Sequence, residues 1–165
     1  MAGLPEESMK ISNLTNWLAS RVRFIKPTVI VLHATDGASA GSSISWLRKI
    51  GLSYHYVIER DGSITKCVPT SRVAFHAGKS LGPYGPNVNE YSLGISFANH
   101  ESKGERITKA QVGACEQLIH DLRKALPIMW VTRHLDISPG RKKDPSMLTK
   151  PDYEFIAGGL PRWEP

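Results

Sequence analysis

The chain has 165 residues, 41% of them hydrophobic and 22% charged, enough for one globular domain with a proper core and too little for a second. No apolar run reaches membrane-spanning length, and Glu6 and Glu7 stand where a secretory leader needs basic residues, so synthesis in the cytoplasm without membrane insertion is expected. A formal charge of +6 and a pI of about 9.4 favour an anionic partner, but the basic residues are scattered apart from Arg141, Lys142 and Lys143, and without aromatic–basic alternation no nucleic acid is expected.

In chain order, Met9, Ile11, Leu14, Trp17, Leu18 and Val22 recur at roughly helical spacing, which predicts a short N-terminal helix or a packed arm over 9–24. After Pro27 the β-branched run 28–32 reads as a buried strand that ends in His33. Residues 36–43 form a Gly/Ser/Ala loop, and 44–50, with Trp46 and Leu47, a short helix stopped at Gly51. Asp61 and Gly62 separate the strand-like runs 53–59 and 63–68, the strongest local hairpin signal in the chain. Residues 77–90, rich in Gly and Pro, predict a long loop over a cleft.

Over 91–99, Leu93, Ile95 and Phe97 alternate with Ser92, Gly94, Ser96 and Ala98. One face of that strand belongs to the core and the other is small enough to floor a cleft. Thr108 and Gln111 make a capping box that opens a helix to about residue 125, with Val112, Cys115, Leu118, Ile119 and Leu122 as its buried stripe. A last strand, 127–133, runs into His134, and the tail from Lys150 packs on the body. Cys67 and Cys115 lack metal-ligand spacing to each other; with no leader, two buried free thiols are expected. Strands alternating with helices, plus one hairpin, place the chain in the α/β class, with a central mixed β-sheet flanked by helices.

The segment from His134 to Pro145 carries the chemistry. A histidine at a strand end is followed by the rigid Pro139–Gly140 turn, and then by Lys142 and Asp144. Neutral imidazole and carboxylate are both zinc ligands, and His33, at another strand end, supplies a third. Two histidines and one aspartate leave a tetrahedral Zn2+ one open position for water, which the metal acidifies. A lysine two residues before a ligand suits an anion that forms during a reaction. Asp136 is a competing carboxylate, placed better to cap the loop or to support a ligand from behind.

Several segments in order carry a resemblance: Val31 to Thr35 around His33, Ser53 to Gly62 around Tyr54, Phe75 to Gly78 around His76, Tyr91 to Phe97, Thr108 to Gln111, and His134 to Pro145. Over 27–146 the chain resembles the zinc-dependent N-acetylmuramoyl-L-alanine amidases of the amidase-2 family. These include bacteriophage lysozyme-type amidases and cytosolic anhydro-muropeptide amidases, and they share the fold of peptidoglycan recognition proteins. The resemblance implies that His33, His134 and Asp144 bind zinc, that Lys142 stabilises the tetrahedral oxyanion, and that Tyr54 is catalytic, as in the phage enzymes. It places His76 beside the cleft, as a substrate contact or a hydrogen-bonded structural residue. Ser96 falls on the cleft strand where cytosolic members carry a glutamate base. Because serine cannot serve as that base, the pattern is closer to the phage enzymes. His55 is expected to be structural.

The resulting expectation is a monomer with an N-terminal helix or arm (1–26) and a catalytic domain (27–165). It cleaves bacterial peptidoglycan between N-acetylmuramic acid and L-alanine, as a phage endolysin released to the wall by a separate factor. The rival readings are a cytosolic recycling amidase and a non-catalytic peptidoglycan-binding protein.

Overall fold

The computed structural model describes residues 10–14 and 20–165. The chain runs through β1 (Ile11–Asn13), β2 (Ser20–Phe24), β3 (Val29–Ala34), α1 (Ala40–Ile50), β4 (Tyr56–Ile58), β5 (Ile64–Lys66) and β6 (Arg72–Ala74). It continues through β7 (Leu81–Gly82), β8 (Gly85–Pro86), β9 (Ser92–Phe97), α2 (Lys109–Ala125), β10 (Trp130–Arg133), the single turn α3 (His134–Ile137) and α4 (Lys150–Ala157). Six strands form one mixed sheet in the order β1-β5-β4-β9-β3-β10. The β4–β5 pair is the antiparallel hairpin; β4, β9, β3 and β10 run parallel.

Alternation along the central strands decides what each face does. Ile30, Leu32, Leu93, Ile95 and Phe97 point to one side and pack against Val112, Cys115, Ile119 and Leu122 of α2 and Tyr153 and Ile156 of α4. Each such large apolar side chain contributes on the order of 1.5–3 kcal/mol by leaving water. Val29, Val31 and His33 point to the other side, where α1 and the loops lie. The α2 cap is formed as expected, with Thr108 Oγ1 accepting from Gln111 N at 3.1 Å and Gln111 Oε1 accepting from Thr108 N at 3.0 Å. Both cysteines are free and buried, and burial pushes the Cys67 thiol up to about 12.

The structure differs from the sequence reading in four places. Met9, Trp17 and Leu18 lie outside the described residues, and the rest of the expected N-terminal helix is β1 and β2. β1 pairs with β5, and β2 runs antiparallel to β6. Ile11 and Leu14 are 44% and 39% exposed, so their spacing buries too little for a helical stripe, whereas the open edge of β5 offers backbone partners. α1 begins at Ala40, four residues before the predicted start, because Ser39 and Ser42 form a capping box and Glu59 Oε2 accepts from Ala40 N at 2.7 Å. The 77–90 loop contains the small β7–β8 hairpin. The tail contains α4, capped by Thr149.

Candidate metal centre

Parallel register brings the site together. Leu32 pairs with Arg133, so His33 and His134 are next to each other at the carboxyl ends of β3 and β10. Ser96 of β9 pairs with His33 on the other side. Asp144 returns to this row because its own carbonyl accepts from Leu135 N at 2.9 Å, while Arg141 N and Lys142 N both donate to the Ser138 carbonyl and tighten the turn.

The three predicted ligands converge. His33 Nδ1 lies 3.1 Å from His134 Nδ1 and 3.4 Å from Asp144 Oδ2, and His134 Nδ1 lies 3.1 Å from Asp144 Oδ1. His33 is fully buried and His134 almost so. A tetrahedral zinc with bonds of about 2.0–2.1 Å has ligands about 3.3 Å apart, so this donor set fits the ion. The outer nitrogens are occupied: His33 Nε2 meets His76 Nδ1 at 2.9 Å, and His134 Nε2 meets the Ala77 carbonyl at 3.2 Å.

Electrostatics keep the donors in their ligand forms. Burial, followed by the neighbouring His134, lowers the His33 pKa to about 4, so the ring is neutral at pH 7. Burial opposes ionisation of Asp144, but hydrogen bonds with His134 and His33 outweigh it and hold the carboxyl well below its usual range. Two imidazole nitrogens and a carboxylate facing one point need a proton or a cation between them, and a bound cation takes the place of the protons that link the rings to Asp144.

The remaining predicted residues are arranged around this centre. The Tyr54 ring packs 4.9 Å from that of His33. Burial and the Asp144 charge raise the Tyr54 pKa, so the phenol stays protonated and serves as a donor. Ser96 Oγ is buried and makes no hydrogen bond in the structure. A cleft of about 520 Å³ is lined by Tyr54, Phe75, His76, His134, Arg141 and Lys142. A second, of about 360 Å³, lies on the other side of Tyr54, against Asp36, Trp46 and Leu47. Lys142 is exposed at the rim of the larger cleft.

Asp136 does not join the site. Its carboxylate accepts from Arg133 Nε at 2.7 Å and from Arg133 Nη2 at 3.1 Å, so it neither caps the loop nor supports a ligand. His55 is structural: Nε2 meets the Arg72 carbonyl at 2.8 Å and Nδ1 accepts from Gly94 N at 3.0 Å. Sequence reasoning missed Arg141, whose Nη2 bonds the Ala77 and Lys79 carbonyls at 2.7 and 2.8 Å and ties the ligand loop to the segment after β6. It also missed Asn89, whose Oδ1 accepts from the backbone N–H groups of His76 and Ala77. Only the Pro139–Gly140–Arg141 turn gave any local signal of the first, and nothing local marked the second.

Comparison with known proteins identifies the family. The sequence model of the Amidase_2 family, described as N-acetylmuramoyl-L-alanine amidase, matches residues 23–147. The chain is 35% identical over 97 residues to the 1,6-anhydro-N-acetylmuramyl-L-alanine amidase AmpD of Haemophilus influenzae, covering 57% of this chain and 52% of that protein, about half its length. It is 32% identical over 141 residues to AmpD of Enterobacter cloacae, covering 73% and 74% of the two chains. Among solved structures, the amidase AmiD of E. coli, in complex with the substrate anhydro-N-acetylmuramic acid-L-Ala-D-gamma-Glu-L-Lys, superposes with a TM-score of 0.72 at 26% identity. That match covers 86% of this chain and 60% of AmiD.

Proposed function

The chain belongs to the N-acetylmuramoyl-L-alanine amidase family, and on that premise we propose that it hydrolyses the amide joining the lactyl group of N-acetylmuramic acid to L-alanine in peptidoglycan, with zinc as its cofactor. The observation that carries this reading is the convergence of His33 Nδ1, His134 Nδ1 and an Asp144 oxygen at tetrahedral spacing on the floor of a cleft. Zinc held there supplies Lewis-acid activation of the scissile carbonyl and of water. Water is added across the C–N bond, leaving a carboxylate on the lactyl group and a free amine on alanine. Lys142, at the rim, stabilises the negative charge that develops on the carbonyl oxygen. Tyr54, protonated beside His33, donates a hydrogen bond that orients the reacting groups.

The finer reading is a monomeric phage endolysin that reaches intact wall after release from the cell in which it is made. The net charge of +6 supports attraction to an anionic wall, and Ser96 at the glutamate position supports the phage-type pattern. A second reading, hydrolysis of soluble anhydro-muropeptides, is favoured by the activity named for the AmpD relatives.

Digestion of purified sacculi and of soluble anhydro-muropeptides, followed by mass spectrometry, tests both readings. New N-terminal L-alanine with intact glycan strands is expected, and it is absent from the Asp144→Ala protein. Release from sacculi supports the endolysin reading, and release from the soluble substrate alone supports the second. New reducing sugar ends without free alanine would make the protein a glycosidase and overturn both.

A further inference from the structure

Two consecutive residues after β6, His76 and Ala77, touch both histidine ligands from behind, and the direction of each hydrogen bond follows from outside inwards. The Val88 carbonyl can only accept, so the Ser92 hydroxyl, 2.6 Å away, donates its one proton there. Ser92 Oγ then accepts from His76 Nε2 at 3.2 Å. With its proton on Nε2, neutral His76 presents a lone pair at Nδ1, so His33 Nε2, 2.9 Å away, is the N–H partner. His33 Nδ1 is left as a lone pair on the side of Asp144. The Ala77 carbonyl does the same for His134: at 3.2 Å from Nε2 it takes the proton there, and a cation between Nδ1 and the Asp144 oxygen 3.2 Å away leaves Nδ1 as the ligand.

The dipeptide is itself held in place. Asn89 Oδ1 accepts from His76 N at 3.1 Å and from Ala77 N at 2.8 Å. Arg141 Nη2 shares the Ala77 carbonyl at 2.7 Å. The imidazole lies on β9 at Gly94, where a Cβ would come within 2.7 Å of His76 Cγ, so the absent side chain makes the slot for the ring. A histidine that only filled space would not need both nitrogens engaged in one ordered direction.

We propose that His76 and Ala77 are the positioning residues of the metal centre, holding His33 and His134 as Nε2–H tautomers with both Nδ1 lone pairs aimed at the bound ion. The proposal rests on zinc binding at His33, His134 and Asp144, and it assigns His76 to the metal site rather than to substrate. Groups that orient a metal-bound histidine from behind typically affect metal affinity or activity about 10–100-fold.

The test reads tautomers and metal affinity rather than turnover. Imidazole 15N NMR of the zinc-loaded protein should show His33, His76 and His134 all protonated at Nε2. Competition with a chromophoric chelator should show zinc binding weakened about 10–100-fold in His76→Phe, which keeps a ring without an acceptor. His76→Asn, whose Oδ1 replaces the Nδ1 acceptor, should recover most of that loss. Ser92→Ala, which keeps the imidazole but removes the acceptor that orders it, should give mixed His76 tautomers and weaker zinc binding, and it carries the test should His76→Phe fail to fold. A proton on Nδ1 of His76 or His33 in the wild-type protein overturns the proposal. So does wild-type zinc affinity in His76→Phe, or in Ser92→Ala. Were the wild-type protein to bind no zinc, the cofactor assignment would fall, and the tautomers alone would decide whether the relay exists.

Discussion

Replacing Asp136 with alanine separates the two carboxylates of the His134–Asp144 segment. In the structure Asp136 is paired bidentately with Arg133, at 2.7 and 3.1 Å, and the two side chains are 8% and 22% exposed. The Arg133 guanidinium also lies 4.9 Å from the centroid of the Tyr153 ring. Removing one member of a fully buried pair costs about 3–5 kcal/mol, because the other charge is left without a partner. Arg133 is partly solvated, and Glu164 at 3.9 Å can take over some of its charge, so the lower figure of about 2–3 kcal/mol applies. For a domain of this size each kcal/mol moves Tm by about 2–4 °C, giving a loss of roughly 5–10 °C. Circular-dichroism melts of zinc-free and zinc-loaded Asp136→Ala should both show that loss, while metal analysis still finds about one zinc per chain. Loss of zinc with an unchanged zinc-free melt would show that Asp136, not Asp144, is the ligand, and would refute the geometric assignment.

Lys142→Ala should keep its zinc and its fold but lose about 10²–10³ in kcat with KM little changed, while Lys143→Ala stays near normal; steady-state kinetics with metal analysis checks both, and a near-normal Lys142→Ala would remove it from catalysis. His33 and His55 are buried neutral, with pKa values lowered from 6.5 to about 4 by desolvation, so between these values the unfolded chain binds protons that the native state does not. Stability of the zinc-free protein should therefore fall as pH drops from about 6.5 to about 4; equal urea midpoints at pH 7 and pH 5 would contradict this. Gly94→Ala should displace the His76 ring, since the new Cβ would lie 2.7 Å from its Cγ and 2.9 Å from its Nδ1. Weaker zinc binding in chelator competition is the expected result, and unchanged affinity would mean that the ring can shift without loosening the site.

What was legible in the sequence was chemistry written within a few residues. Asp61 and Gly62 specify the β4–β5 hairpin, and Thr108 and Gln111 specify the start of α2, because each signal and its consequence lie within one turn of chain. The histidines at the strand ends and the carboxylate after a Pro-Gly turn were legible as ligand types. Their convergence was decided in three dimensions, by the parallel register that brings His33 beside a residue 101 positions away. The N-terminal segment shows the limit of periodicity: its spacing looks helical, but the free edges of β5 and β6 made strands of β1 and β2. Asp144 was legible as the ligand ahead of Asp136, but the role of Asp136 was not, because its partner Arg133 is fixed only by the fold, while Asp144 meets two imidazoles. The support behind the ligands was least visible of all. It uses a backbone carbonyl at Ala77, a missing side chain at Gly94 and an amide oxygen at Asn89, and none of these has a meaning until the fold brings it against its partner.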